Sequence, residues 1–365
     1  MTKRTELLHR MGQSLWLDNI TRGLLDSGTL QRYIDDFSVT GLTSNPTIFD
    51  RAIGKSDLYD SAIAQKVAAG KSGEALFFEL AIEDLQRAAD LFLPIYKRSN
   101  GVDGWVSLEV SPKLAYDTQS TLAAAKALHA QANRPNLFIK IPGTPEGLPA
   151  VEEAIFAGVP INVTLLFSCA DYLGTANAYL RGIERRIEAG LNPRVESMAS
   201  LFISRWDVAV AGKTPDDLRN QLGIAMGKRT YKAYCDLLNS DRWRRLANYG
   251  AHAQRLLWAS TGTKDPQASD YLYIQALASP FTVNTIPEAT LHAFDEHGTL
   301  DGILSPGGGD GEEVLSRLAR AGIDVDAVGV QLQTEGAASF VKSWENLLDV
   351  LAVKAASYQK AASHQ

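Results

Sequence analysis

The sequence predicts an α/β chain whose parallel strands close into a single (β/α)8 (TIM) barrel, with additional helices that include a long C-terminal one. Three observations carry that expectation. Short apolar runs alternate with long amphipathic stretches along the whole chain, the short runs number eight, and five of them keep their polar side chains on one face. Alternating strands and helices make a parallel sheet, and eight strands are what closes a barrel. An open, doubly wound sheet is the competing arrangement. No repeat, low-complexity tract or linker interrupts the 365 residues, so one domain is expected over 1–365.

The strand candidates are 15–18 (LWLD), 39–45 (VTGLTSN), 104–110 (GWVSLEV), 136–142 (NLFIKIP), 159–167 (VPINVTLLF), 198–204 (MASLFIS), 255–260 (RLLWAS) and 282–287 (TVNTIP). Helical patterns lie between them, among them 73–99, 114–132, 145–158 and 168–190, and 335–356 reads as the final helix. Thr144-Pro145 places a cap before a first-turn proline, and Gly158 and Gly190 stand where helices should stop. The stretch 305–311 (SPGGGDG) lacks the Lys-Ser or Lys-Thr of a phosphate loop and leads into a helix near Glu312, so it reads as a flexible connection.

Composition excludes several classes of function. Lys plus Arg number 36 against 42 Asp plus Glu, a net charge of −6, which argues against a globally basic nucleic-acid binder. No apolar run approaches the roughly 18 residues of a membrane span, and the N-terminus lacks the apolar segment of a secretory signal. Cys169 and Cys235 lie far apart, so no disulfide framework is expected, and a cytoplasmic location fits. The six histidines (His9, His129, His252, His292, His297 and His364) show no paired ligand spacing, so no metal site is expected. No G-x-G-x-x-G follows a strand, so no dinucleotide cofactor is expected either. Arg242, Arg244 and Arg245 read as a solvated helix face.

Side chains along a strand alternate between two faces. In NLFIKIP, Leu137, Ile139 and Ile141 share one face while Phe138 and Lys140 share the other. The same parity sets Ser107 and Glu109 against Val106, Leu108 and Val110, and Asn162 and Thr164 against Ile161, Val163 and Leu165. It also sets Trp16 and Asp18 against Leu15 and Leu17, and Ser200, Phe202 and Ser204 against Ala199, Leu201 and Ile203. In a barrel the apolar faces meet the helices, and the polar faces converge inside, near the C-terminal mouth where barrel enzymes keep their chemistry.

Lys140 is the sharpest signal, because a lysine in a buried strand costs several kcal/mol unless paired or deprotonated. A strand-edge lysine reaching to solvent is the bland alternative. The chemical reading is an amine of depressed pKa that forms a Schiff base with a carbonyl substrate. Asp18 alone could instead cap a helix at 19–25, and Glu109 alone could be a structural partner of the lysine. An amine, two carboxylates and a hydroxyl on neighbouring strands make a proton-transfer site.

These residues resemble a known family. GLTSNPTIF at 41–49, VSLEVSPKLAYDT at 106–118, the stretch 136–168, SLFISR at 200–205 and WASTGTKDP at 258–266 are similar to transaldolases of the longer bacterial branch, over nearly the whole chain. The resemblance implies a (β/α)8 enzyme of the non-oxidative pentose phosphate pathway that uses sugar phosphates, without cofactor or metal, as monomer or homodimer. It would move a dihydroxyacetone unit from sedoheptulose 7-phosphate to glyceraldehyde 3-phosphate, giving erythrose 4-phosphate and fructose 6-phosphate. Lys140 would form the Schiff base, Glu109 and Thr164 would hold a proton-shuttling water, Asp18 would handle the C4 hydroxyl proton, and Asn45 would bind the dihydroxyacetone moiety. Arg205, Ser200 and Ser260 would surround the phosphate. The family's second phosphate arginine is replaced by Gly262, and Lys264 is the nearest cation that could compensate. An aldolase releasing dihydroxyacetone to water and a non-catalytic sugar-phosphate sensor are the alternatives.

Overall fold

The computed structural model describes residues 3–362. Its strands are β1 (Ser14–Leu17), β2 (Val39–Thr43), β3 (Trp105–Glu109), β4 (Leu137–Pro142), β5 (Ile161–Leu166), β6 (Ser197–Phe202), β7 (Arg255–Ala259) and β8 (Val283–Ile286). They run parallel in chain order, and β8 pairs with β1 from Ser14↔Val283 to Leu17↔Ile286. That last pairing closes the barrel and removes the open-sheet alternative. Each strand lies within, or one residue beyond, its predicted run.

The two faces separate as the alternation requires. Leu15, Leu17, Val106, Leu108, Ile139, Ile141, Ile161, Val163, Ala199 and Leu201 join the helices in one apolar cluster. Trp16, Trp105, Phe138, Met198, Leu257 and Val283 belong to a second cluster that fills the barrel's interior. Trp105 stacks on Phe138 with ring centroids 4.0 Å apart. This aromatic plug lies toward the N-terminal end of the same strand faces that carry Glu109 and Lys140, so it forms an apolar floor beneath them.

One residue breaks the predicted parity. Leu165, expected on the outer face with Ile161 and Val163, joins the interior cluster, and the β5–β6 register shifts between Val163 and Leu166. The cause is a bulge: Leu165 has φ 59°, the left-handed region that a branched apolar residue rarely occupies. The turned carbonyl accepts a hydrogen bond from Gln333 Nε2 at 3.1 Å.

Gln333 lies on the final helix, Val325–Ala362, which begins well before the predicted 335. The helix crosses the C-terminal mouth of the barrel. Gln333 also donates to the Gly143 carbonyl just beyond β4 at 3.2 Å, and Ser343 meets Thr47 at 2.8 Å. The Trp344 indole donates to Glu74 at 2.8 Å.

Other local expectations hold or shift in small ways. Gly158 and Gly190 follow the helices Gly147–Phe156 and Cys169–Glu188 with φ of 86° and 69°. The helix expected from Pro145 begins at Gly147 with Glu146 at its N-cap, so Thr144 and Pro145 lie in the turn before it, where the Thr144 hydroxyl accepts from Gly147 N. The helix predicted from 114 begins at Thr118, where the Asp117 side chain caps it, after a separate turn at Pro112–Leu114. The 305–311 connection leads into a helix at Gly311–Arg320. Arg242 is more than a solvated side chain: it pairs with Glu184 at 2.7 Å and ties its helix to Cys169–Glu188. Among the described residues no helix is long and apolar enough to cross a membrane. No group of three or more His, Cys, Asp and Glu side chains among them could hold a metal ion; His364 lies outside the described residues.

Candidate active site

The sheet register brings the polar residues level with one another. Glu109 on β3 stands opposite Lys140 on β4, Lys140 opposite Asn162 on β5, and Pro142 opposite Thr164. Lys140 is 5% exposed and Glu109 4% exposed, so this is a buried amine–carboxylate pair. The Lys140 Nζ lies 3.3 Å from Glu109 Oε2 and 3.4 Å from the Ser44 carbonyl. Charge-assisted contacts usually close to about 2.7–2.9 Å, so neither contact locks the amine in place. Glu109 Oε1 and Thr164 Oγ1 are buried without a protein hydrogen-bond partner. Burial pushes the Glu109 carboxyl above the usual carboxylate range, against the opposing pull of Lys140.

Asp18 sits just past β1, its backbone N–H donating to the Ile286 carbonyl at 2.9 Å. Its side chain accepts from the Thr43 hydroxyl at 3.1 Å, and Thr43 meets Thr285 at 2.7 Å. Asp18 is not a helix cap, because Thr21 caps the following helix, Arg22–Asp26. Burial raises its pKa, partly offset by Lys140, the Thr43 hydrogen bond, Lys264 and Arg205. A carboxyl whose burial makes it hold a proton more tightly than usual suits proton transfer.

Eight of the nine predicted residues line one cavity of about 350 Å³: Asp18, Asn45, Lys140, Thr164, Ser200, Arg205, Ser260 and Lys264. Glu109 is the exception and touches the cavity through Lys140. Asn45 Oδ1 accepts from Ile48 N at 3.0 Å, capping the helix Pro46–Gly54, which leaves the amide's N–H groups for the cavity. Ser200 donates to Asn162 Oδ1 at 2.7 Å, so its only proton is already committed. Ser260, with φ 56°, shares a 2.9 Å hydroxyl contact with Ser204.

Arg205 is half-buried, and among the described residues its guanidinium has no hydrogen-bond or ion-pair partner. Its Cζ lies 5.1 Å from the Phe202 ring centroid and 5.8 Å from that of Phe340. Burial lowers its pKa, countered by Asp18 and Glu109. Lys264 is exposed, with its amine 3.7 Å from where a Cβ on Gly262 would stand. A larger cavity of about 530 Å³, lined by loops after β6 and β7, shares Lys264 but none of the other predicted residues.

An electrophile reaching Lys140 here would find two carboxyls, a free hydroxyl and unpaired cations around it. Residues 15–351 match the family described as transaldolase/fructose-6-phosphate aldolase. The chain belongs to this family. The transaldolase of Arthrobacter sp. (strain FB24) is 40% identical over 371 residues, covering 99% of this chain and all of that protein. That of Thermobifida fusca (strain YX) is 42% identical, covering 95% of this chain and 97% of the relative. Transaldolase 2 of Nostoc sp. (strain PCC 7120 / SAG 25.82 / UTEX 2576) is 39% identical, covering 93% and 94%.

In this member of the transaldolase/fructose-6-phosphate aldolase family, the cavity contains residues that sequence reasoning did not single out. Thr43, Phe202, Phe340 and Arg51 all line it. Thr43 carried a usable signal, being a polar residue in the predicted strand run 39–45, and it is the last residue of β2. Phe202 shares the inward face with Ser200 but, being apolar, carries no chemical signal. Arg51 and Phe340 carried none, since an arginine on a helix reads as solvated and a phenylalanine on a helix reads as core.

Proposed function

We propose that the chain is a transaldolase that carries a dihydroxyacetone unit from sedoheptulose 7-phosphate to glyceraldehyde 3-phosphate through a Schiff base on Lys140. The supporting observation is the buried Lys140 amine, loosely held by Glu109 beside two oxygens, Glu109 Oε1 and Thr164 Oγ1, that have no protein partner. The family description covers both transaldolases and aldolases, while the relatives cited above carry the transaldolase name.

In this reading the nitrogen lone pair of Lys140 attacks the C2 carbonyl of the ketose. The carbinolamine loses water to give the iminium, with Glu109 and Thr164 relaying protons through a water between them. Asp18 then takes the proton of the C4 hydroxyl. The C3–C4 bond breaks, its electron pair moves into the iminium to form an enamine, and erythrose 4-phosphate leaves. The enamine attacks the aldehyde carbon of glyceraldehyde 3-phosphate, and Asp18 returns its proton to the new C4 oxygen. Addition of water and expulsion of Lys140 release fructose 6-phosphate.

Asn45 donates to the dihydroxyacetone hydroxyls and retains the enamine until the acceptor arrives. Arg205 receives the phosphate with all its N–H groups free. Lys264 and Ser260 complete the phosphate end, with Lys264 occupying space beside Gly262. Ser200, whose hydroxyl donates its hydrogen bond to Asn162, forms part of the cavity floor. The enzyme works in the cytoplasm as one domain, in the non-oxidative pentose phosphate pathway.

Turnover of fructose 6-phosphate with and without erythrose 4-phosphate tests the reading. Dependence on the acceptor is the expected result. Release of dihydroxyacetone without it would assign an aldolase, and binding without turnover a sensor.

A further inference from the structure

Two ends of the cavity, the Lys140 amine and the Arg205 guanidinium, meet the same side chain of the final helix. The Phe340 ring centroid lies 6.0 Å from Lys140 Nζ and 5.8 Å from Arg205 Cζ. Phe340 is 5% exposed and belongs to the interior cluster with Phe202 and Leu165. One turn earlier, Gly336 faces the guanidinium: a Cβ there would crowd Leu165 Cδ2 at 3.0 Å and meet Arg205 Nη1 at a contact distance of 3.4 Å. Arg205 therefore runs under the turn Gly336–Phe340 of this helix.

The helix is fixed on both sides of that turn. Gln333 bonds the carbonyls of Gly143 and Leu165, and Ser343 and Trp344 bond Thr47 and Glu74. An arginine carries several rotatable bonds and loses side-chain entropy when it settles on one ligand. A ring on the guanidinium within about 6 Å restrains it without consuming any N–H donor.

We propose that Phe340 is a positioning residue: with Phe202 it holds the unpaired Arg205 guanidinium ready for the substrate phosphate, so that the final helix forms part of the phosphate site. The inference rests on the reading of Arg205 as the phosphate ligand. Phe340 itself touches no reacting atom in this account.

The experiment measures borohydride trapping on Lys140 against concentration, once with fructose 6-phosphate and once with dihydroxyacetone, which carries no phosphate. It compares wild type with Phe340→Ala, Phe340→Leu, Phe340→Tyr and Arg205→Ala. Phe340→Leu keeps apolar volume in case the alanine variant folds poorly. Loss of a desolvated cation–π contact predicts a half-saturating fructose 6-phosphate concentration about 5- to 30-fold higher in Phe340→Leu and Phe340→Ala. The dihydroxyacetone curve and the maximal trapping rate should stay within about twofold, and Phe340→Tyr, which keeps the ring quadrupole, should match wild type on both substrates. If Arg205→Ala raises the fructose 6-phosphate value but the Phe340 variants do not, the inference falls and the phosphate reading stands. Equal shifts on both substrates, or loss in Phe340→Tyr, also overturn it by making Phe340 merely structural. If Arg205→Ala leaves the fructose 6-phosphate value unchanged, the phosphate reading fails first and the inference with it.

Discussion

Replacing Asp18 by asparagine removes a charge and little else. The side chains are isosteric, and the Thr43 hydroxyl that donates to Asp18 Oδ1 at 3.1 Å can donate to the asparagine carbonyl instead. No helix loses its cap, because Thr21 fills that role for Arg22–Asp26. A general acid–base group contributes about 10²–10⁴-fold, so turnover should fall by that factor, equivalent to roughly 2.7–5.4 kcal/mol in the barrier. Imine formation does not use Asp18, so borohydride trapping with fructose 6-phosphate should proceed at the wild-type rate. Stability should move the other way. Burial raises the Asp18 pKa above 3.8 despite three nearby cations, so the folded state binds this proton more tightly than the unfolded state. The ionised carboxylate then costs stability at pH above its folded pKa, and that cost disappears as pH falls below the unfolded value. Asp18→Asn should therefore melt at or above the wild-type temperature near neutrality, with the difference closing in acid. Turnover within threefold of wild type, trapping lost together with turnover, or a melting temperature several degrees lower would each refute this reasoning.

Removing the phosphate cations should have unequal effects. Arg205→Ala, at a half-buried and unpartnered site, should weaken apparent affinity for fructose 6-phosphate about 10- to 150-fold; Lys264→Ala, at an exposed and solvent-screened site, should do so only about 1.5- to 5-fold. Equal effects, measured as KM in the coupled assay, would contradict the assignment. Thr164→Val should slow imine trapping about 10²-fold without lowering the melting temperature, since Thr164 Oγ1 gives up no protein hydrogen bond. Asp207, whose carboxyl accepts from Leu222 N, Gly223 N and Tyr273 OH, is pushed up to about 6 by burial. Its folded form binds more protons than the unfolded chain between about pH 4 and 6, so this group's contribution to stability rises as pH falls through that window. Asp207→Asn should remove that part of the slope in pH-dependent unfolding, and an unchanged slope would refute it.

The strands were legible because a barrel strand meets helices on one face and the lumen on the other, and that difference is written as a period of two. NLFIKIP and VSLEV show it most clearly, and the register sets their polar members opposite one another. Leu165 defeated the rule because a bulge inserts one residue without any change of composition: Thr164-Leu165-Leu166 reads as uninterrupted strand. The final helix begins ten residues before its predicted start, and Gly329 weakens the helical signal in that stretch; Gly336 lies inside the predicted run. The reason for Gly336 is tertiary, since a side chain there would crowd Leu165. Phe340 was invisible for the same reason: only the path of the helix across the mouth turns an ordinary apolar residue into part of the site. The pairing of Ser200 with Asn162 likewise depends on which strands are neighbours, so a serine expected beside the phosphate is found with its hydroxyl hydrogen bonded to Asn162.

The central claim is that Lys140 is the covalent residue. Borohydride added with fructose 6-phosphate, followed by peptide mass spectrometry, tests it directly. One reduced three-carbon adduct on Lys140 is expected, absent in Lys140→Ala; because that variant also leaves the buried Glu109 without its ionic partner, its fold is checked by circular dichroism. An adduct on another lysine, or undiminished turnover with Lys140 unmodified, would contradict it.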